Sequence, residues 1–403
     1  MFAAALRNIV TIPPLGGVAR LAVAGLAALA LAACEPMALE GAATGPSTGP
    51  MIDPAQPVPV ALLVPAGSGA ADLDWLARSM VNAAKMAAGD AQGARIDLRV
   101  YNTGADAEAA AAGATEAVAA GAKIVLGPLH ADSANAAGAA VRGQGINVLS
   151  FSNNPQVAGG NVFTLGTSFL NVADRLVGYG VRQGKRRYMI VAENDLAGKL
   201  GAAAIATAIS RQGATLAGQV SHEASQSGID SVVPGVTAAA TERKIDAVFV
   251  TANQGAVLPY LTSALKSSGA ADAAQLIGLT RWDEPAARLA LPGVQGGWFA
   301  LPDTTLRSQF ENRYRAAYGE QPHSLAGLAY DGVAAIAANV RAGRRDALTT
   351  TGLTRGGGFA GVNGIFRLRP DRTTERGLAV ATIRNNQVVI LDPAPRSFGG
   401  FGF

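Results

Sequence analysis

Few groups in this 403-residue chain have the types and spacing that catalysis requires, and each obvious constellation lacks a partner. His222-Glu223 opens like a helix that presents two histidines to zinc, but the fifth position is Gln226, so the second ligand is missing. The other histidines, His130 and His323, are too scattered to complete a metal centre. Gly198-Lys199 continues into Leu200, and position 193 is Glu rather than Gly, so the segment cannot form a phosphate-cradling loop. Gly67-Ser68-Gly69 is too short for a nucleophile elbow, and Gly178, Gly180 and Gly184 miss the spacing of a dinucleotide turn. The residues therefore point away from an enzyme, and no cofactor or metal is expected.

One residue does suggest covalent chemistry. Cys34 is the only cysteine, and the only charges before it are Arg7 and Arg20. An apolar run, Leu21 to Leu31 (LAVAGLAALAL), leads into Leu31-Ala32-Ala33-Cys34. A basic start, a short apolar stretch and small residues at the cut make a secretion signal. The run is too short to cross a bilayer, which takes about 20 apolar residues. The four residues resemble the lipobox of bacterial lipoproteins. That resemblance implies removal of residues 1–33, acylation of Cys34 and a periplasmic protein held to a membrane by lipid. Glu35 at the next position resembles the sorting pattern for the outer membrane. Residues 35–57, rich in Pro, Gly, Ala and Thr without apolar periodicity, read as a flexible tether.

Removing residues 1–33 takes away Arg7 and Arg20, and lowers the formal net charge of +4 by two. So small a charge, with no basic cluster interleaved with aromatics, excludes a nucleic-acid partner. The basic run Arg182 to Arg187 reads as a solvated helix end. With no second cysteine, an apolar core and not disulfides must hold the fold.

Strand and helix patterns alternate through the body. Strands are expected at 60–64, 96–100, 123–126 and 148–151, with helices at 72–88, 107–120 and 133–142. Leu73, Leu76, Met80 and Ala84 share one helical face. The pattern restarts with helices at 172–183, 198–212, 229–243 and 255–267, and strands at 188–191, 215–220, 247–251 and 276–279. Apolar strands separated by helices of this length imply parallel sheets covered on both faces. Two helices, 306–318 and 325–340, then precede short strands at 364–368, 378–382 and 387–391. Asn385-Asn386 marks a hairpin turn. The tail from Asp392 reads as loose.

The motifs in these elements resemble the type I periplasmic binding proteins, in particular the leucine/isoleucine/valine-binding class. They are Gly127-Pro128-Leu129, Gly145 to Ser150 (GINVLS, with Asn147 where proline is usual), Asn161 to Thr164, Asn194 with Gly198, and Ile245 to Phe249. Phe310 to Pro322 with Ala329-Tyr330-Asp331-Gly332-Val333 carries the most recognisable signature, and Phe359, Gly361, Val362, Gly364 and Phe366 the closing element. The resemblance spans residues 58–391. It implies two Rossmann-like α/β lobes with parallel sheets, joined by three crossovers around a cleft. Lobe 1 is expected at about 58–168 and 303–345, and lobe 2 at about 169–302 and 346–391. The crossings then fall near 165–171, 301–305 and 341–350, and residues 392–403 form the tail.

Ligands of such sheets bind beyond the carboxyl ends of the strands. The resemblance therefore singles out Ser68 in the first loop, Ser133 after the third strand, and Ser152, Asn153 and Asn154 after the fourth. In lobe 2 it singles out Asp195, Thr251, Asn253, Arg281 and Trp282. Asp132 or Ser133 is equally suited to capping the next helix. An amino-acid zwitterion needs donors for its carboxylate and an acid for its ammonium. Here Asp132 stands beside Ser133, Arg281 occupies the expected ammonium site, and Ala197 replaces a lid tyrosine. A polar cleft remains that suits a small polar ligand. These departures resemble a lipid-anchored branch described as penicillin-binding-protein activators, which contact peptidoglycan synthases. A non-enzymatic regulator of that kind is the expectation. The alternative is the substrate-binding lipoprotein of an ABC importer, with a permease as partner and branched-chain amino acids or amides as ligands.

Overall fold

The structure is a computed structural model and describes residues 49–252 and 255–398. Cys34, the leader, the start of the tether and Asn253 lie outside the described residues.

The first half builds one parallel sheet. Strand β1 (Val58–Val64), helix α1 (Ala71–Asp90), β2 (Ile96–Asn102), α2 (Ala107–Ala119), β3 (Ile124–Leu126), α3 (Ala131–Val141), β4 (Val148–Ser150) and β5 (Val162–Thr164) follow in order. The strands pair as β2-β1-β3-β4-β5. β1 lies inside the sheet, between β2 and β3, and is buried at every position but Pro59, because helices cover both faces. Leu76, Met80 and Ala84 of α1 meet Leu62 and Leu126 on one face. The other face meets a nearly pure alanine surface from α2 and α3, including Ala110, Ala114 and Ala134. Small side chains let these helices sit close to the sheet: a Cβ on Gly138 of α3 would lie 2.2 Å from Val162.

The second half builds a larger sheet from α4 (Phe169–Arg182), β6 (Arg187–Glu193), α5 (Leu196–Arg211), β7 (Thr215–His222), α6 (Gln226–Thr241), β8 (Ala247–Val250), α7 (Val257–Ser267), α8 (Ala270–Ala273), β9 (Gln275–Gly278) and β10 (Trp298–Leu301). The chain then runs through α9 (Thr304–Tyr318), α10 (Ala326–Arg341) and α11 (Thr350–Thr354). A three-stranded meander follows, β11 (Phe359–Gly361), β12 (Gly364–Leu368) and β13 (Thr374–Arg376), and then β14 (Ala379–Arg384) and β15 (Gln387–Asp392). The last two strands join the second sheet, whose order is β15-β14-β10-β9-β8-β6-β7. The two lobes are thus α/β units with separate sheets, and the chain passes between them three times: after β5, after β10 and after β13.

Four expectations need correction. Residues 49–57, expected in the flexible tether, pack on lobe 1: Ile52 is buried in its core and its N–H donates to the Arg345 carbonyl at 2.8 Å. The second sheet is mixed, not parallel: β14 runs antiparallel to both β10 and β15. Asn385 and Asn386 have φ of 50° and 60°, the left-handed pair that a two-residue hairpin requires, and such a turn can only join antiparallel strands. Residues 346–368, placed above with lobe 2, pack on lobe 1. Ala347, Leu348, Leu353, Phe366 and Leu368 belong to the same core as Leu62 and Leu126. Asn147 donates to the Leu348 carbonyl at 2.8 Å and fixes that segment to the first sheet, so the third crossing falls after Arg376. Lastly, the tail through 398 is bound. Arg175 donates to the carbonyls of Asp392 and Pro393 and pairs with the Asp392 carboxylate at 2.8 Å. Phe398 lies under the Arg367 guanidinium, 4.8 Å from it.

Candidate ligand-binding cleft

The loops that leave the carboxyl ends of β3, β4, β5, β9 and β10 line one cavity of about 650 Å³ between the lobes. That size suits a small organic molecule. The turn after β3 depends on Gly127, whose φ is +88° and whose added Cβ would lie 2.3 Å from the Leu63 carbonyl. It delivers Leu129 and His130 to the wall, and the loop after β4 delivers Phe151, Ser152, Asn153 and Asn154. Lobe 2 contributes Thr280, Arg281, Glu284 and Arg288 from the loop after β9. Phe169, Val172, Leu279, Leu325 and Leu328 make much of the remainder apolar.

The charged groups in the wall are mutually constrained. Glu284 is the only carboxylate among the lining residues, and it is held by Arg281 at 3.0 Å and by Arg307 at 3.3 Å. Arg307 stands on α9, whose Phe310 and Tyr314 pack with Ala83 of α1, so its bond to Glu284 spans the lobes. Arg307 also donates to Glu311 at 2.8 Å, and Arg281 to Asp283. Burial alone would depress the Arg281 pKa, but the hydrogen bond to Asp283 and the charges of Asp283 and Glu284 hold it above its ordinary value. Arg288 donates to the Glu284 carbonyl at 2.7 Å.

Arg376 is the deepest cation. Its side chain is 1% exposed and lies in the cavity wall, between this cavity and a smaller one on the far side of the third crossing. Nη1 donates to Asp331 at 2.7 Å and Nε to the Leu165 carbonyl at 3.0 Å, while the guanidinium carbon sits 4.8 Å from the Phe366 ring centroid. Nη2 has no partner among the described residues. Asp331, fully buried, also accepts from Val362 N–H at 2.7 Å and Asn363 Nδ2 at 3.1 Å. Gly361 makes room for this junction, since a Cβ there would lie 2.1 Å from Asp331 Oδ1.

At the edge of the cleft, His323 packs edge-on against Trp75, with ring centroids 4.9 Å apart. Burial holds its pKa below the usual value despite the pull of Glu284 and Asp72. Its Nδ1 accepts from Leu325 N–H at 3.1 Å, which requires that nitrogen to be unprotonated.

A family model for periplasmic binding proteins matches residues 57–387, most of the chain. The chain belongs to the type I periplasmic binding protein family. Solved structures of such proteins share the fold. A putative branched-chain amino acid ABC transporter protein from Rhodospirillum rubrum aligns with a TM-score of 0.69 and 19% identity, covering 83% of this chain and 100% of the other. An ABC transporter substrate-binding protein from Desulfitobacterium hafniense, in complex with Leu, aligns at 0.62 and 21% identity over 83% of this chain and 100% of that one. A solute-binding protein from R. palustris, in complex with benzoate, aligns at 0.57 and 16% identity over 86% and 98%. No curated protein matches the sequence. Membership of this binding-protein family implies a periplasmic location and a ligand-binding role. Among the described residues no helix is long and apolar enough to cross a membrane, and no group of His, Cys, Asp and Glu could hold a metal ion.

The cleft of this binding protein gathers only some of the residues singled out by sequence. Ser152, Asn153, Asn154 and Arg281 line it. Ser68, Ser133, Asp195, Thr251 and Trp282 are not among the lining residues. Ser68 accepts from Ala70 N–H within its own loop, and Asp195 caps α5 by accepting from Gly198 N–H at 2.6 Å. Thr251 is buried and accepts from Glu193 N–H. Ser133 is buried, its hydroxyl without a partner among the described residues, and does not cap α3, whose N-cap position is His130. Trp282 is fully buried in the lobe 2 core. The residues that sequence reasoning missed are Thr280, Glu284, Arg288, Arg307 and Arg376. Glu284 stands three positions after Arg281, and nothing in the sequence near Thr374-Glu375-Arg376-Gly377 signals a ligand.

Proposed function

We propose that this protein is the solute receptor of an ABC importer, which captures a small organic ligand between its lobes and passes it to a membrane permease. The observation that carries the reading is the interlobe cavity of about 650 Å³, lined by loops from both lobes and mixing apolar walls with fixed polar groups. The ligands named for two structural neighbours, Leu and benzoate, each combine a carboxylate with an apolar body, and this cleft offers surfaces for both parts. Branched-chain amino acids, their amides and related small acids are the ligands to try first. Acylation of Cys34 would keep the receptor near its permease on a tether that ends before Ile52, which is buried in the lobe 1 core.

The departures from the zwitterion pattern that suggested a regulator of peptidoglycan synthases have another explanation in this cleft. Polar groups still line it, Arg281, Arg307 and Arg376 among them, which favours a ligand site with its own set of polar residues over an emptied one. Affinity purification of the full-length lipoprotein from membranes tests the choice. Copurification of an ABC permease is the expected result; a peptidoglycan synthase in its place overturns it.

A further inference from the structure

The wall of the cleft is asymmetric toward charge. Four arginines line it, Arg281, Arg288, Arg307 and Arg376, against the single carboxylate of Glu284. That carboxylate is already engaged by two guanidinium groups, so it offers nothing to an incoming ammonium. The buried side-chain atoms of the wall that lack a partner among the described residues, Arg376 Nη2 and Thr280 Oγ1, can both donate. A guanidinium nitrogen can do nothing else. A buried donor left unpaired is costly, and an acceptor that meets it removes that cost. A buried ammonium without an acid would add a cost of the same kind.

We propose, building on the solute-receptor reading, that the cleft selects small organic acids that carry a carboxylate and an apolar body but no ammonium group. The carboxylate takes the unpaired donors of Arg376 and Thr280. The apolar body lies against Phe151, Phe169, Val172 and Leu328. Asp331 positions Arg376 from behind: it fixes Nη1 and leaves Nη2 uncommitted. Because Arg376 immediately precedes the third crossing, a carboxylate bound there would also engage the strand that links the lobes.

Calorimetry on the full-length lipoprotein, solubilised in detergent, tests this with two matched pairs: 4-methylpentanoate against leucine, and 3-phenylpropanoate against phenylalanine. Each pair differs only in the ammonium. The expected result is binding at least tenfold tighter for the acid without the ammonium in one pair or both, with no reversal in the other. Arg376→Lys keeps the charge opposite Asp331 but lacks Nη2, and should weaken that acid at least tenfold. Thr280→Val, which leaves the buried ion pair untouched, should weaken it severalfold and serves if Arg376→Lys fails to fold. A preference below tenfold in both pairs, or a tighter amino acid in either, overturns this inference and leaves solute capture standing. Binding of none of the four overturns it as well, and the copurification experiment then decides solute capture by itself. Full affinity in Thr280→Val and in a folded Arg376→Lys overturns the assigned donors.

Discussion

Asp331 lies in the most recognisable stretch of the sequence, yet it is absent from the residues that line the cleft. Its task is to hold Arg376, and the cost of removing it can be worked from its contacts. Both side chains are almost fully buried, at 0% and 1% exposure. Asp331→Ala removes the acceptor for Arg376 Nη1, Val362 N–H and Asn363 Nδ2 at once. Bonds to a charged group contribute about 1.5–3 kcal/mol each, and breaking a buried ion pair by removing one partner costs about 3–5 kcal/mol. These ranges overlap because the surroundings relax and the losses are not additive, so a destabilisation of about 3–5 kcal/mol is expected. Asp331→Asn should cost nearly as much, because its amide can present one oxygen but turns a donor toward Arg376 or Asn363. The double variant Asp331→Asn with Arg376→Met removes the stranded charge and should recover much of the loss, with a coupling of at least about 2 kcal/mol. Urea unfolding followed by tryptophan fluorescence reads the wild type, Asp331→Ala, Asp331→Asn, Arg376→Met and the double variant, provided the slope with denaturant stays constant. A cost for Asp331→Ala below about 1 kcal/mol, or a double variant no better than the sum of its parts, would refute the reasoning.

Other expectations follow from single features. Trp282→Ala should destabilise by about 3–5 kcal/mol, while ligand affinity of the folded fraction stays unchanged, because the ring fills the lobe 2 core and not the cleft; a selective loss of affinity would return Trp282 to the site. His323 is held below its ordinary pKa, so the unfolded chain binds more protons as pH falls through about 6.5. Its contribution is therefore fully present above that pH and is lost below it. The thermal midpoint of the wild type should fall more steeply between pH 7 and pH 5 than that of His323→Gln, and parallel curves would contradict this. Cys34→Ala should abolish acylation and leave the protein either soluble in the periplasm or unprocessed, read by mass spectrometry and fractionation; a wild type without lipid would end the anchor proposal.

Local patterns determined much of this protein. Apolar runs such as Val60 to Val64, set between helices with a 3.6-residue period, state an α/β fold, because burial on both faces leaves no room for polar alternation. Asn385-Asn386 states a hairpin, since few residue pairs accept two left-handed conformations in succession. Such signals act over a few residues and survive in a linear reading. The assembly of the cleft does not. Trp282 follows Arg281 in a loop and reads as a cleft aromatic, but Gly278 and Gly297 leave a slot into which its ring turns; a Cβ on either would lie 2.2 Å from the indole. Residues 346–368 read as part of the second lobe until Asn147, far earlier in the chain, ties Leu348 to the first. Arg376 acquires its meaning only from Leu165, Asp331 and Phe366, which the fold brings around it. A buried charge must find its partners across the tertiary structure, and no spacing along the chain encodes which arginine that will be.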